Sequence, residues 1–414
     1  MTTITLTEDQ ENAIKQFTGF MANDAEKVFV ISGYSGTGKS TLISHLMDRL
    51  PNIIKTLKLV NPSFREYALH LTATTNKAAE NFSNITGHEV KTIQSHLGLV
   101  VQTDYKTREQ RLVPRRFQQQ TQQLLFIDEA SYVDHELMGW ITKTVDASKI
   151  VFIGDPAQLI QFKAKNALVF SMGYPEAKLE KVVRQAEHNP IVELSTKFRN
   201  TVNTGEFFSF TPDKNHIQYL NRDDFNKSIE KEFIRPDWQS KDSKVLAWTN
   251  KCVVEYNKMI GGFCNGRSHF EEGDYAVCNQ YFHSEKGGIK TDAAVLITSK
   301  SAGTVKNGVP GHFYTLDGYI TAFCPDNHED KKALEKKAKA AGDIALMDEI
   351  DSKWIDLRAM YACTINKSQG STYERVFIDL DDIKKCNSGN QIARMLYVAV
   401  SRAKHQVFFT GDLV

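Results

Sequence analysis

Short apolar runs recur along the chain, separated by helical or polar segments. A first set comprises Val28–Ile31, Leu69–Ala73, Leu124–Ile127 and Ile150–Ile153; a second comprises Val245–Trp248, Met360–Thr364, Val376–Leu380 and Val407–Thr410. Each run ends in small or polar residues, where a ligand-binding loop belongs at the C-terminal end of a parallel strand. The pattern predicts an α/β protein of two parallel-sheet units, packed directly together, since no low-complexity tract or long flexible linker divides them. Two stretches break the rhythm. Residues 98–121 carry five basic residues and lead into the polar run Gln118–Gln123, which predicts a small surface hairpin. Residues 265–357 contain β-like runs (Tyr275–Val277, Ala294–Ile297, His312–Tyr314) among glycines at 266, 273, 287, 288, 303, 308, 311 and 318, which predicts a small antiparallel barrel. Inside it, Glu329–Lys353 is dense in Lys, Glu, Asp and Ala and predicts an exposed, charged helical protrusion.

Composition narrows the class. The 414 residues suffice for two or three domains, and 41% apolar with 24% charged residues is ordinary for a soluble globular protein. A net charge of +1 excludes a bulk polycation, so any nucleic-acid affinity must come from a local groove. The six cysteines are scattered without a CxxC pair and the histidines do not cluster. Neither a zinc site nor a disulfide framework is expected, which fits a reducing, cytoplasmic setting. The first residues lack a basic region followed by an apolar core, and no run approaches 18 apolar residues; neither a signal peptide nor a membrane span is expected.

The chemistry starts after the first apolar run. Gly33-Tyr34-Ser35-Gly36-Thr37-Gly38-Lys39-Ser40-Thr41 links a strand to the amphipathic stretch Leu42–Met47, the setting of a phosphate-binding loop. Glycines let the backbone N–H groups wrap a phosphate chain, and the helix start adds partial positive charge. Lys39 would reach the β- and γ-phosphates and Ser40 would hold Mg²⁺. The apolar run Leu124–Ile127 delivers Asp128, placed for Mg²⁺, and Glu129, placed to polarise an attacking water. After Ile150–Ile153, the turn Gly154–Leu159 presents Gln158, which either senses the γ-phosphate or stabilises its turn.

These segments, with Thr364-Ile365-Asn366-Lys367-Ser368-Gln369-Gly370-Ser371-Thr372 and Leu396–Lys404, resemble the successive motifs of superfamily 1 helicases. The chain is similar to the 5′-to-3′ branch that includes the RecD and Dda helicases; its compact size and short insertions resemble the Dda type and lean toward phage. The likeness runs from Leu6 to about Lys404. It implies two RecA-like domains (1–97 with 122–188, and 189–264 with 358–414), a duplex-splitting hairpin at 98–121 and an SH3-like insertion at 265–357. Leu6–Gln10 resembles the family's Q motif, in which Gln10 reads the adenine edge. Leu71–Ala79 resembles the first DNA-contacting motif, with Thr74, Asn76 and Lys77 on phosphates. Thr92–Leu97 resembles the next, with Thr92 and His96 facing the strand, although a lone histidine is as well read as structural. Arg184 and Arg402 resemble the arginines that reach the γ-phosphate from elsewhere in the fold. Trp248 is either core or a DNA contact; Asn250, Thr364 and Lys367 match DNA-contacting positions, and Gly370 lies in the motif that couples DNA to the nucleotide. The resemblance implies a monomeric, Mg²⁺- and ATP-dependent 5′-to-3′ DNA helicase acting on single-stranded and on tailed or forked duplex DNA, alongside replication or recombination proteins. An RNA-directed motor, and a DNA-stimulated ATPase that remodels complexes without unwinding, are the alternatives.

Overall fold

The computed structural model describes residues 6–103, 110–115, 119–160, 167–181, 189–213, 215–265, 269–284 and 286–413. The chain divides into two compact units: Met1–Asn189 with Arg199–Thr204, and Pro190–Phe198 with Gly205–Val414.

The first unit is built on a six-stranded sheet. Its order is Glu176–Leu179, Val28–Gly33, Lys149–Gly154, Gln123–Asp128, Ala68–Ala73, Val90–Thr92, and every pairing is parallel. Parallel strands covered on both faces are apolar at nearly every position, and the side chains sort accordingly. Phe29, Ile31, Leu124, Phe126, Val151 and Ile153 face one core with helices Glu8–Ala22 and Lys39–Val60. Val30, Leu125, Ile127, Ile150 and Phe152 face another with helix His135–Thr144. The short outer strands Val90–Thr92 and Glu176–Leu179, absent from the sequence expectation, complete the edges. Strands Leu99–Thr103 and Gln110–Pro114 form the expected antiparallel hairpin; Tyr105 and Phe117, its aromatic residues, lie outside the described residues.

One buried cation ties this unit together. Lys149 is 1% exposed, and its Nζ donates to the carbonyls of Phe20, Asn23 and Glu26 at 2.6–2.8 Å. These carbonyls surround the C-terminal end of helix Glu8–Ala22, where a positive charge complements the helix dipole. Burial lowers the Lys149 pKa.

The second unit contains a five-stranded parallel sheet, ordered Ile217–Tyr219, Ala403–Thr410, Tyr373–Asp379, Ser243–Ala247, Ala362–Thr364. Phe377 and Phe408 stack across neighbouring strands at 4.5 Å. The helix Gly389–Ser401 is buried at every position from Ala393 to Val400, so it is an interior helix and not a surface one. The insertion forms an antiparallel sheet of Thr304–Lys306, Val309–Leu316, Ala294–Lys300, Tyr275–Cys278 and Leu357–Arg358, with Ile320–Pro325 pairing on Val309–Leu316.

The single charged protrusion expected at Glu329–Lys353 is corrected. The segment is two helices, His328–Ala341 and Ile344–Lys353, broken at Gly342, which takes φ +67°. Asp343 caps the second helix by accepting from the Leu346 N–H at 3.0 Å. That helix is docked, not solvated: Ile350 and the following Trp354 pack with Val309 and Phe323. No described helix is long and apolar enough to cross a membrane.

Replacing Lys149 with Met keeps the volume but leaves three carbonyls without their donor. We expect Lys149→Met to cost roughly 3 kcal/mol, read as a lower denaturant midpoint; an unchanged midpoint refutes the staple.

Candidate nucleotide site and nucleic-acid motifs

In the first unit the sequence-predicted nucleotide residues meet at the C-terminal ends of three neighbouring strands. Strand Val28–Gly33 feeds the glycine-rich loop, Lys149–Gly154 leads to Gln158, and Gln123–Asp128 ends on the carboxylates. Register pairs Ser32 with Gly154 and Ile127 with Phe152, so the three strand ends are aligned.

Glycine is required in the loop. Gly36 and Gly38 adopt φ +87° and +78°, a region that side chains disfavour. A Cβ on Gly33 would lie 2.6 Å from Thr37 Oγ1 and 2.9 Å from Leu179 Cβ. The Thr37 hydroxyl donates to the Tyr34 carbonyl at 2.9 Å, closing the turn from inside. Lys39 opens the following helix and donates from Nζ to the carbonyls of Gly33 and Tyr34. Ser40 is exposed beside it, Thr41 half-buried, and Ser35 and Gly36 half-buried on the loop.

Asp128 stands opposite this cation. Desolvation pushes its carboxyl pKa up, while the Glu129 backbone N–H and the Lys39 charge pull it back. A desolvated carboxylate and the exposed Ser40 hydroxyl at the helix start are donor types suited to Mg²⁺, whose charge would reverse the desolvation cost of Asp128. Glu129 has φ +53° and ψ +46°, a left-handed backbone on a non-glycine residue, and such outliers concentrate at functional sites. Asp155 and Gln158 are both buried, with the Gln158 N–H on the Asp155 carbonyl at 3.2 Å.

Gln10 is placed differently from the expectation of an adenine-facing amide. It is 2% exposed, accepts from the Thr7 N–H at 2.9 Å, and donates from Nε2 to the carbonyls of Gly38 (3.1 Å) and Thr37 (3.4 Å). It caps its own helix and braces the phosphate loop from beneath.

The segment expected to contact DNA in this unit is tied to the backbone of Asp128 and Glu129. Thr74 is buried; its N–H donates to the Asp128 carbonyl at 3.2 Å and its hydroxyl to the Glu129 carbonyl at 3.0 Å. Its hydroxyl is therefore turned inward, away from the phosphate-contacting role expected of it. Asn76 is exposed, and Lys77 pairs with Glu80 at 2.9 Å. The Thr92 side chain accepts from the Ser95 N–H, capping the short helix Ile93–His96. His96 bonds Gln123 at 2.9 Å and packs against the His70 ring at 4.8 Å. Burial lowers the His96 pKa, so the ring is neutral and structural near neutral pH. Arg199, which the sequence did not single out, stacks on Tyr34 of the loop with its guanidinium 4.0 Å from the ring centre. Arg184 lies outside the described residues.

In the second unit the late motifs gather around two strand ends. Burial raises the Asp382 pKa, but the N–H and hydroxyl of Thr249 and the Lys385 ammonium outweigh it and hold the carboxyl low. Asp382 also accepts from the Trp248 N–H at 2.8 Å, so the turn before helix Asn250–Asn265 is fixed. Trp248 is half-buried and Asn250 exposed, its side-chain oxygen accepting from Arg358 at 3.1 Å. Thr364 is nearly buried. Lys367 bonds Asn279 and pairs with Asp292 of the insertion at 2.6 Å, so its ammonium is already neutralised. Gly370 takes φ +77°. Arg402 is buried and donates to the carbonyls of Val398 and Ser371 and to the Ser401 hydroxyl, joining the end of the interior helix to the Gly370 loop.

Comparison with known proteins follows the same division. A family model described as an AAA domain matches residues 5–222, and one described as a UvrD-like helicase C-terminal domain matches residues 359–410. The chain is 19% identical to the uncharacterised protein R530 of Acanthamoeba polyphaga mimivirus, across 97% of this chain and 98% of that one. It is 29% identical to the ATP-dependent RecD2 DNA helicase of Deinococcus radiodurans over 46% of its length, spanning only 23% of that relative. Among solved structures, Bacteroides Pif1 helicase in complex with ADP-AlF3 and single-stranded DNA shares the fold, with a TM-score of 0.53 at 16% identity, over 99% of this chain and 93% of that chain. Its likeness agrees with the two RecA-like parallel sheets.

The neutral histidines give a pH dependence. Burial depresses the pKa of both His96 and His70, so the unfolded chain binds more protons than the folded one. Stability is full above the unfolded value of about 6.5 and is lost as pH falls through the depressed folded values. The denaturant midpoint should drop between about pH 7.5 and 5.5, and drop less in His96→Gln; equal drops would exclude His96 as a source.

Proposed function

The chain belongs to the AAA-domain family and is a superfamily 1 helicase of the RecD/Pif1 type, and we propose that it couples ATP hydrolysis to 5′-to-3′ movement along single-stranded DNA and to duplex unwinding. The observation that carries this reading is the hydrogen bonding of the nucleic-acid motif, through Thr74, to the backbone of the two hydrolytic carboxylates. A nucleotide-hydrolysing site physically joined to a strand-contacting loop is what a strand-stimulated ATPase requires.

Lys39 holds the β- and γ-phosphate oxygens, and the loop N–H groups cradle the chain. Ser40 and Asp128 would hold Mg²⁺, which supplies charge neutralisation between the phosphates. Glu129 orients and deprotonates the attacking water, and Gln158 senses the γ-phosphate. Arg184 and Arg402 act as arginine fingers on the charge that develops in the transition state; such a finger is worth ~10³–10⁵ in rate. Asn76, Asn250 and the exposed part of Trp248 meet the strand through phosphate contacts and base stacking, neither of which reads sequence.

Lys39→Ala should abolish ATP turnover while leaving DNA binding measurable; turnover at the parent rate would overturn the hydrolytic site. With duplexes bearing a 5′ or a 3′ single-stranded tail, strand displacement should require the 5′ tail. Displacement only from the 3′ tail would reverse the polarity, and stimulation by RNA but not DNA would replace the substrate. For Arg402→Lys, ATP binding should survive and DNA-stimulated hydrolysis fall by about 10³; hydrolysis at the parent rate would remove the finger role.

A further inference from the structure

Within the insertion, far from the nucleotide-binding residues in sequence, His269, His312 and Asp326 converge. Each offers one ligand atom, and these atoms lie within 4.8 Å of one another. His312 Nδ1 is 2.9 Å and His269 Nδ1 is 3.4 Å from the same Asp326 oxygen, and the two rings stand 4.7 Å apart. His312 is buried, His269 half-buried and Asp326 exposed. Hydrogen bonding accounts for the first pair. It accounts poorly for the second, since 3.4 Å exceeds the usual N–H···O range. A tetrahedral ion with ligands at about 2.0–2.1 Å separates its donors by roughly 3.4 Å, which both contacts approach.

Two of the three ligands are placed by the sheet itself. His312 pairs with Cys324 and Gly311 with Pro325 in antiparallel register, and the Asp326 N–H donates to the Pro310 carbonyl at 3.0 Å. His269 comes from the segment before the insertion's first strand, Tyr275–Cys278, so an ion here would clip that segment onto the sheet. His269 and Asp326 also line a cavity of about 690 Å³ with Tyr314, Cys324 and Arg358. It is roomy enough for water to fill the remaining coordination positions. The Cys324 thiol is turned to the Pro325 carbonyl at 3.8 Å and is not one of the three converging ligand groups.

We infer that His269, His312 and Asp326 form a binding site for a divalent transition metal of the Zn²⁺ class, which clips the start of the insertion to its sheet. Two imidazoles and one carboxylate suit Zn²⁺ and its spectroscopic substitute Co²⁺, and suit Mg²⁺ and Ca²⁺ poorly.

The test uses the full chain in excess Mg²⁺, which occupies oxygen sites, titrated with Co²⁺. The expected result is one Co²⁺ per chain with visible absorption of a nitrogen- and oxygen-ligated ion and without the intense near-ultraviolet band of a thiolate ligand. Zn²⁺ should displace it and raise the thermal midpoint. His269→Gln and Asp326→Asn, which alter solvent-accessible ligands, should each weaken Co²⁺ binding at least about tenfold and remove the thermal shift while ATP hydrolysis stays at the parent rate. Unchanged Co²⁺ affinity in both variants, a thiolate band, or displacement of Co²⁺ by Mg²⁺ would overturn the site. Loss of ATPase activity in the Lys39 variant bears only on the nucleotide site and leaves this one standing.

Discussion

A desolvated carboxylate facing a lysine organises the first unit. Asp128 is held where burial disfavours its charge, with the Lys39 ammonium and one backbone N–H as the counterweights. Bringing those groups together demands close backbone approach on both sides. On one side Gly33 lets the loop close against Thr37 and Leu179; on the other a Cβ on Gly154 would sit 3.1 Å from the Ala130 nitrogen, so the turn after Glu129 packs directly on the neighbouring strand. Glu129 accepts a left-handed backbone to make that turn. The apolar strands on either face of the sheet then supply the rigidity that keeps a strained, desolvated site in place.

The second unit fixes its motif residues by a different device, a set of partly buried polar pairs. Asp382 gathers two N–H groups, a hydroxyl and an ammonium to freeze the Trp248–Asn250 turn. Arg358 joins Asn250 to Asp356, Asp356 bonds Asn279, and Asn279 bonds Lys367. The insertion is therefore stitched to two of the expected DNA-contacting positions through one continuous polar chain. For Lys367 to meet a phosphate it must exchange Asp292 for that phosphate. Both are partly exposed, where an ion pair is worth about 1 kcal/mol or less, so the exchange is inexpensive.

How much was legible in the sequence follows the range of the interaction. Seven of the eight apolar runs mark interior strands, because a strand buried on both faces records its burial locally; the eighth marks the edge strand Ala362–Thr364, and the phosphate loop and Asp128-Glu129 are contiguous motifs. The edge strands Val90–Thr92, Glu176–Leu179 and Ile217–Tyr219 are short and half polar, so they leave no such record. Gly342 followed by Asp343 is a helix stop and a helix cap side by side, yet the surrounding charge hid the break. Inward-turned groups were the least visible. Thr74, Gln10 and Lys149 are polar residues whose partners are carbonyls elsewhere in the fold, and nothing local distinguishes such a peg from a ligand contact. Arg199 on Tyr34, Lys367 on Asp292, and the pairing of His269 with His312 are products of topology alone.

The Thr74 tether has an energetic consequence. A non-glycine residue held in the left-handed region stores about 1–3 kcal/mol, and a hydrogen bond such as that from Thr74 to the Glu129 carbonyl contributes about 1 kcal/mol. Coupling free energies between linked sites are typically 1–3 kcal/mol. The three quantities are of one size. Thr74, just before the helix that opens at the exposed Asn76, is one of the residues that hold Glu129 in this backbone state. On the proposed reading, in which Glu129 orients the water, the Thr74 bond to the Glu129 carbonyl is the link through which contacts at Asn76 would reach that carboxylate. On that reading hydrolysis would respond to an occupied strand through a hydroxyl, a carbonyl and one strained residue.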